Sequence, residues 1–229
     1  MIYGYLSYLV WMLPAIIISL IAEISVKSRF AKYSKIQNKR LLTGAQAAQL
    51  LLNSKGITNV RIVPVKGNLN DNFDPRNNTI SLSESVYNST SIAAIGVACH
   101  EAGHACQHAE GYWPNKFRSF MVPVCNFGSR VSWILIILGF IFLNVSNVIL
   151  WIGIILFSLS VIFTLITLPV EFNASRRAIK IIAETNMLDS DEIGGAKSVL
   201  TAAAMTYVAS ACVALLQLLR LVLIANSRR

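Results

Sequence analysis

The sequence predicts an α-helical multi-pass membrane protein of about four spans with a small α+β cytoplasmic domain, and three observations predict it. Of 229 residues, 55% are apolar and only 14% charged, with a mean hydropathy of +0.57, a balance typical of membrane proteins. The apolar residues are gathered into runs long enough to cross a bilayer. The charges lie between those runs, among segments whose apolar periodicity alternates between helix and strand.

The first run covers residues 2–22 without a charge. It lacks a basic leading region and a small-x-small cleavage site before Glu23, so it reads as a retained anchor and not as a signal peptide. Residues 131–170 are also uncharged, enough for two crossings joined by a turn near Asn144-Val145-Ser146-Asn147. The fourth run, 199–225, is interrupted only by Arg220 near its end, where a long side chain can reach the interface.

With four spans, residues 23–130 and 171–198 share one side of the membrane. They carry seventeen of the twenty Lys and Arg, including Lys27, Arg29, Lys32, Lys35, Lys39 and Arg40 just after the first run. The positive-inside rule makes that side the cytoplasm. Attraction to anionic headgroups accounts for the net charge of +9, so no nucleic acid partner is called for. The four cysteines, Cys99, Cys106, Cys125 and Cys212, are expected to be packing residues in a reducing compartment.

In the cytoplasmic part, Thr43 is placed to cap a helix through Ala45, Ala48, Leu51 and Leu52 that stops at Lys55-Gly56. Val60-Arg61-Ile62-Val63-Pro64-Val65 is rich in β-branched residues, and Pro64 places it at a sheet edge. Residues 66–78, full of Gly, Asn, Asp and Pro, read as a loop. Thr79-Ile80-Ser81-Leu82-Ser83 alternates as a half-buried strand, and an open edge there could take a peptide as an added strand. Ser91 caps a helix that runs through Cys99 and ends by Gly111. Gly111 to Arg118 mixes aromatics and cations and reads as an interfacial lead-in to the second span.

That last helix carries the chain's three histidines, in His100-Glu101-Ala102-Gly103-His104-Ala105-Cys106-Gln107-His108. The stretch contains H-E-x-x-H. Residues four apart share a helix face, so His100 and His104 can aim at one ion. Glu101 beside them can act as a general base that takes a proton from water and passes it to a leaving amine. The bland reading is a pair of hydrogen-bonded core histidines. His108 extends the row, but the helix rises ~12 Å from His100, and the glycine needed for a turn back is absent, so it is expected at the helix end near Glu110, or as a group that supports a ligand, and not on the ion. Cys99 and Cys106 project from other faces.

A catalytic zinc keeps three protein ligands and one open position. With no third histidine well placed, a carboxylate is expected. Glu171 leads, as the first charge after forty uncharged residues, on a helix rooted in the membrane. Its bland reading is a helix N-terminal carboxylate. Asp71, Asp74 and Glu84 are the other carboxylates in contention, whereas Asp189, Asp191 and Glu192 are expected in a solvated turn near Gly194-Gly195.

Beyond the motif, Asp71-Asn72-Phe73-Asp74-Pro75, Leu82-Ser83, Val86-Tyr87, Ser91-Ile92-Ala93-Ala94, Leu168-Pro169-Val170-Glu171-Phe172, Ala174-Ser175-Arg176-Arg177-Ala178 and Ala202-Ala203-Ala204-Met205-Thr206-Tyr207-Val208-Ala209 resemble the YugP-like membrane zinc metallopeptidases over nearly the whole chain. The resemblance implies a zincin-like cytoplasmic domain, related in layout to HtpX and the CAAX prenyl protease. It also implies one zinc on His100, His104 and Glu171, with catalysis by Glu101. Two positions depart from such patterns. Ser175 stands where HtpX-type enzymes carry an aspartate that orients a histidine, and Asn72 and Phe73 stand where a histidine and a tyrosine are expected.

The function expected is that of a zinc metalloendopeptidase in the cell membrane, acting at the cytoplasmic face on peptides or membrane-associated proteins. His108, Arg176, Arg177 and Tyr207 are the candidate oxyanion donors. The rival from another class is a catalytically inactive zinc-binding membrane protein acting as scaffold or holdase, against which Glu101 argues. A metal transporter would need ionisable residues within the spans, and an intramembrane protease an aspartate in a later span; spans two to four have no aspartate.

Overall fold

The computed structural model describes residues 2–142 and 147–226. It is mostly helical, with one three-stranded mixed sheet. The elements are α1 (Ile2–Tyr33), α2 (Gly44–Ser54), β1 (Arg61–Val65), β2 (Asn72–Asp74), β3 (Thr79–Ser83), α3 (Glu84–Tyr87), α4 (Ile92–Ala109), α5 (Trp113–Ile141), α6 (Val148–Glu184) and α7 (Ser190–Asn226). The chain divides into two compact units. One comprises residues 1–22, 116–169 and 206–229, and the other 23–115 and 170–205.

The first unit holds the apolar lengths of the long helices. Among the described residues three helices, α5, α6 and α7, are long and apolar enough to cross a membrane. They turn large apolar side chains such as Phe120, Phe127, Ile137, Ile155 and Leu219 outward, the pattern of a surface solvated by lipid. Where lipid is as apolar as the side chains, close packing of small residues joins helices. Gly139 lies so near α6 that a Cβ there would come within 2.6 Å of Leu150 Cα, and one at Gly153 within 2.9 Å of the Ile136 backbone nitrogen. Of the turn expected at 144–147, residues 144–146 lie outside the described residues.

The second unit contains the mixed helix and strand segment. Thr43 caps α2 with a full capping box, its hydroxyl accepting from Gln46 N while the Gln46 side chain accepts from Thr43 N. Ala47, Ala48, Leu51 and Leu52 form the buried face of α2. They pack into a core with Ile80 and Leu82 of β3, Ile95, Ala98 and Ala102 of α4, and Ile182 beyond the apolar run of α6.

The sheet has the order β1-β3-β2, with β3 parallel to β1 and antiparallel to β2. Two expectations are corrected here. Residues 66–78 are not all loop, because Asn72–Asp74 pairs with Thr79–Ser81 as β2. Consequently β3 is the central strand and offers no open edge, and Thr79, Ile80, Leu82 and Ser83 are all buried. The free edges belong to β1, where Pro64 sits, and to β2.

A third correction concerns the return segment. Gly194 and Gly195 lie inside α7, and the turn between α6 and α7 falls earlier, at Asn186 with φ 51°. Glu192 is buried and accepts hydrogen bonds from the backbone N–H groups of Lys39 and Asp189. It caps the helix, while the half-buried Asp189 and the exposed Asp191 pair with Lys39. Gly195 is needed because its missing Cβ makes room for the Tyr33 ring, 2.7 Å from where that atom would stand.

Candidate metal centre

Helix α4 starts at Ser91, whose hydroxyl accepts from Ala94 N. It ends at Ala109, and just beyond the C-cap Glu110 the chain turns at Gly111, whose φ of 68° suits glycine. Nearly all of α4 is buried, so the rotation of its histidines is fixed by packing on several sides. The decisive contact is at Gly103, where a Cβ would come within 2.7 Å of Ala174 O on α6. Only glycine lets the two backbones approach this closely, and that approach brings Glu171, almost one turn before Ala174, to the histidines.

His100 Nε2 and His104 Nε2 lie 3.2 Å apart. Glu171 Oε2 is 3.2 Å from the first and 3.5 Å from the second. Glu171 is 2% exposed and sits deep within α6, so it is not an N-terminal carboxylate. Two ligands bound at about 2.0–2.1 Å to a tetrahedral ion lie about 3.3–3.4 Å from each other. The three donors therefore form a triangle of the size one face of a tetrahedral zinc site requires.

The far sides of both rings are held. His104 Nδ1 is 3.0 Å from Gln107 Oε1, while Gln107 Nε2 donates to Val170 O at 2.8 Å and to Asn173 Oδ1 at 2.9 Å. Both of those partners are acceptors, so the amide has one orientation, and its oxygen must accept from His104 Nδ1–H. The Nε2 lone pair of His104 then points at the carboxylate and at His100. Asn173 Oδ1 also accepts from Arg177 Nε at 2.7 Å, and Arg177, which can only donate, sets the direction of the whole chain of bonds. His100 Nδ1 is 3.1 Å from Ser175 Oγ, so the partner of this ring is a hydroxyl.

Glu101 follows His100 on α4 and is 8% exposed. His108 lies in the last turn of α4 with its ring 5.9 Å from that of Phe73, outside the cluster. Arg177 is committed to Asn173, to Glu110 at 2.6 Å and to the face of Tyr112. The other carboxylates lie elsewhere. Asp71 accepts from the N–H and hydroxyl of Ser83, and Asp74 pairs with Arg76, while Glu84 opens α3. Burial pushes the Asp71 carboxyl up from its usual value, against the Ser83 hydrogen bonds that lower it.

The flanking thiols are poor ligands. Burial, helped by the Glu110 carboxylate, pushes Cys106 up to about 11. The fully buried Cys99 is pushed higher still, by burial and then by Cys106, and its sulfur rests 3.9 Å from that of Met187. A thiol must be deprotonated to bind metal. Among the described residues, His100, His104 and Glu171 are the one group of metal-ligating side chains whose donor atoms converge, all within 4.8 Å.

Gln107, Asn173 and Gly103 were not legible as site residues from sequence, although Gln107 stands three residues from His104 and Ser175 four from Glu171, both same-face spacings on a helix.

Residues 8–226 match the family model described as "Putative neutral zinc metallopeptidase". The chain is 47% identical over 212 residues to "Putative membrane protease YugP" of Bacillus subtilis (strain 168), covering 93% of each chain. No solved structure matches it. A match of that extent, on a chain that sets two imidazoles and a carboxylate at zinc-ligand spacing, identifies it as a member of this zinc metallopeptidase family, with helices fit for a membrane.

Proposed function

We propose that this protein is a membrane-embedded zinc metalloendopeptidase that holds one zinc on His100, His104 and Glu171 and uses Glu101 as general base. The observation that carries the reading is the triangle of Nε2, Nε2 and Oε2 atoms, 3.2, 3.2 and 3.5 Å on its sides. When bound, zinc would lower the pKa of water towards neutrality and polarise a peptide carbonyl. Glu101 accepts the proton of the attacking water and delivers it to the departing amine. Gln107 and Ser175 hold the two rings from behind, so that neither must reorient as the reaction proceeds.

Four crossings are proposed, at residues 2–22, two within 131–170, and 199–225. Residues 23–130 and 171–198 then face the cytoplasm. The distribution of Lys and Arg supports this sidedness. Substrates on that side are peptides or segments of membrane-associated proteins.

The test is a comparison of wild type with Glu101→Gln, purified in mild detergent and offered an unstructured protein such as casein. The variant is expected to keep its zinc and to lose peptidase activity by at least about 100-fold, the contribution of a positioned general base. Undiminished cleavage by the variant would remove the proposed role of Glu101. A wild type that binds zinc but cleaves nothing would favour the scaffold reading.

A further inference from the structure

Beside the metal centre, the stretches of α6 and α7 that belong to the second unit enclose a cavity of about 410 Å³, within the size range of small-molecule sites. Its lining combines the apolar side chains Phe172, Ile179 and Leu200 with three cations, Arg176, Lys180 and Lys197. None of its lining residues is acidic. Lys180 faces Glu184 at 3.6 Å, but among the described residues Arg176 and Lys197 have no carboxylate in ion-pair reach. The core packing uses neither of these two charges.

We propose that this cavity is a binding site for one anionic phospholipid, its headgroup phosphate between Arg176 and Lys197 and the start of an acyl chain over Phe172, Ile179 and Leu200. Three features favour a lipid over an acidic peptide. Cations and apolar side chains line one cavity, so the site complements a molecule that is anionic at one end and apolar at the other. Phe172 stands two residues beyond Val170, where the uncharged run ends, about 3 Å further along the same helix. On α7 the lining residues Leu200, Thr201 and Ala204 fall within the apolar run 199–225. An acyl chain could therefore leave the cavity along helix surface that is already lipid-like, whereas a peptide would bring polar backbone there.

The site also adjoins the candidate metal centre. Ser175 lines the cavity, and its hydroxyl is 3.1 Å from His100 Nδ1, so a bound lipid lies one side chain away from a proposed ligand. Lipid binding itself is independent of the peptidase reading and can be measured with or without zinc.

The experiment is native mass spectrometry of the full chain in neutral detergent, titrated with dioleoyl-phosphatidylglycerol or dioleoyl-phosphatidylcholine. Wild type is expected to retain one phosphatidylglycerol with a preference of about tenfold or more over phosphatidylcholine. Arg176→Gln with Lys197→Gln should reduce that preference to within about twofold, while the charge-keeping pair Arg176→Lys with Lys197→Arg should preserve most of it. Both side chains are exposed, so the variants are expected to fold, and an unchanged elution volume checks this. Equal retention of the two lipids, or a preference untouched by the neutral pair, would overturn the proposal. So would displacement of phosphatidylglycerol by millimolar glycerol 3-phosphate, which would mark a free-phosphate site, or by an acidic peptide.

Discussion

Gln107 Oε1 stands 3.0 Å from His104 Nδ1, on a side chain with no solvent exposure whose nitrogen is bound by two acceptors on α6. The amide therefore does two jobs. It fixes the tautomer of a proposed zinc ligand, and it ties α4 to α6, the helix that delivers the third ligand. Gln107→Ala is expected to weaken zinc binding about 10- to 100-fold, measured by competition with a chromophoric chelator. Gln107→Glu keeps an acceptor for His104 but leaves Val170 O and Asn173 Oδ1 without that donor, so it is expected to lose more stability than it restores in affinity. Unchanged zinc affinity in Gln107→Ala would show that the ring is held by other means.

Ser175 plays the corresponding part for His100 with a weaker group. Ser175→Ala is expected to cost about tenfold in zinc affinity, the low end of the range for a partner of a metal-bound histidine. The fold should be unaffected, since only one hydroxyl is lost. The same chelator titration, with thermal unfolding alongside, separates the two effects.

Gly103 sets the distance between α4 and α6. A methyl group there would press on Ala174 O from 2.7 Å, and overpacking of this kind typically costs about 1–3 kcal/mol. Gly103→Ala should therefore lower the unfolding temperature and, by spreading the helices, also weaken zinc binding. A variant with normal stability and normal zinc content would mean that the close approach is not required.

Cys106, with its thiol pushed up to about 11, is about one part in a thousand thiolate at pH 8. In native protein at that pH, iodoacetamide is expected to leave Cys99 and Cys106 unmodified for hours, while both react readily in guanidinium. The sign of the linked stability follows. The folded chain keeps a proton that the unfolded chain releases above about 8.5, so this contribution is fully present below that pH and is lost as pH rises through about 11. Rapid native labelling of either residue, read by mass spectrometry of digests, would contradict the buried placement.

The parts of this molecule legible in the sequence were those governed by local spacing. His100 and His104 declare themselves because four residues make a helical turn, and Thr43 and Ser91 because capping is a short-range event. Glu171 stood out as a charge ending a long uncharged run. The residues that complete the site were hidden for a shared reason. Gln107, Asn173 and Ser175 are neutral and common, and their roles exist only once α4 and α6 meet at Gly103. Strand β2 was missed because three residues in a loop rich in Gly and Asn carry no alternation to read. Without it, β3 looked like an edge strand. The turn was misplaced for a comparable reason, since Gly194-Gly195 suggests a break by composition but serves to admit Tyr33.

The most direct test of the central claim is the zinc content of purified Glu171→Ala beside wild type, determined by inductively coupled plasma mass spectrometry after dialysis against a weak chelator. The account predicts about one zinc per chain in wild type and nearly none in the variant. Full zinc occupancy in Glu171→Ala would contradict it, because the carboxylate 3.2 Å from His100 Nε2 would then not be holding the ion.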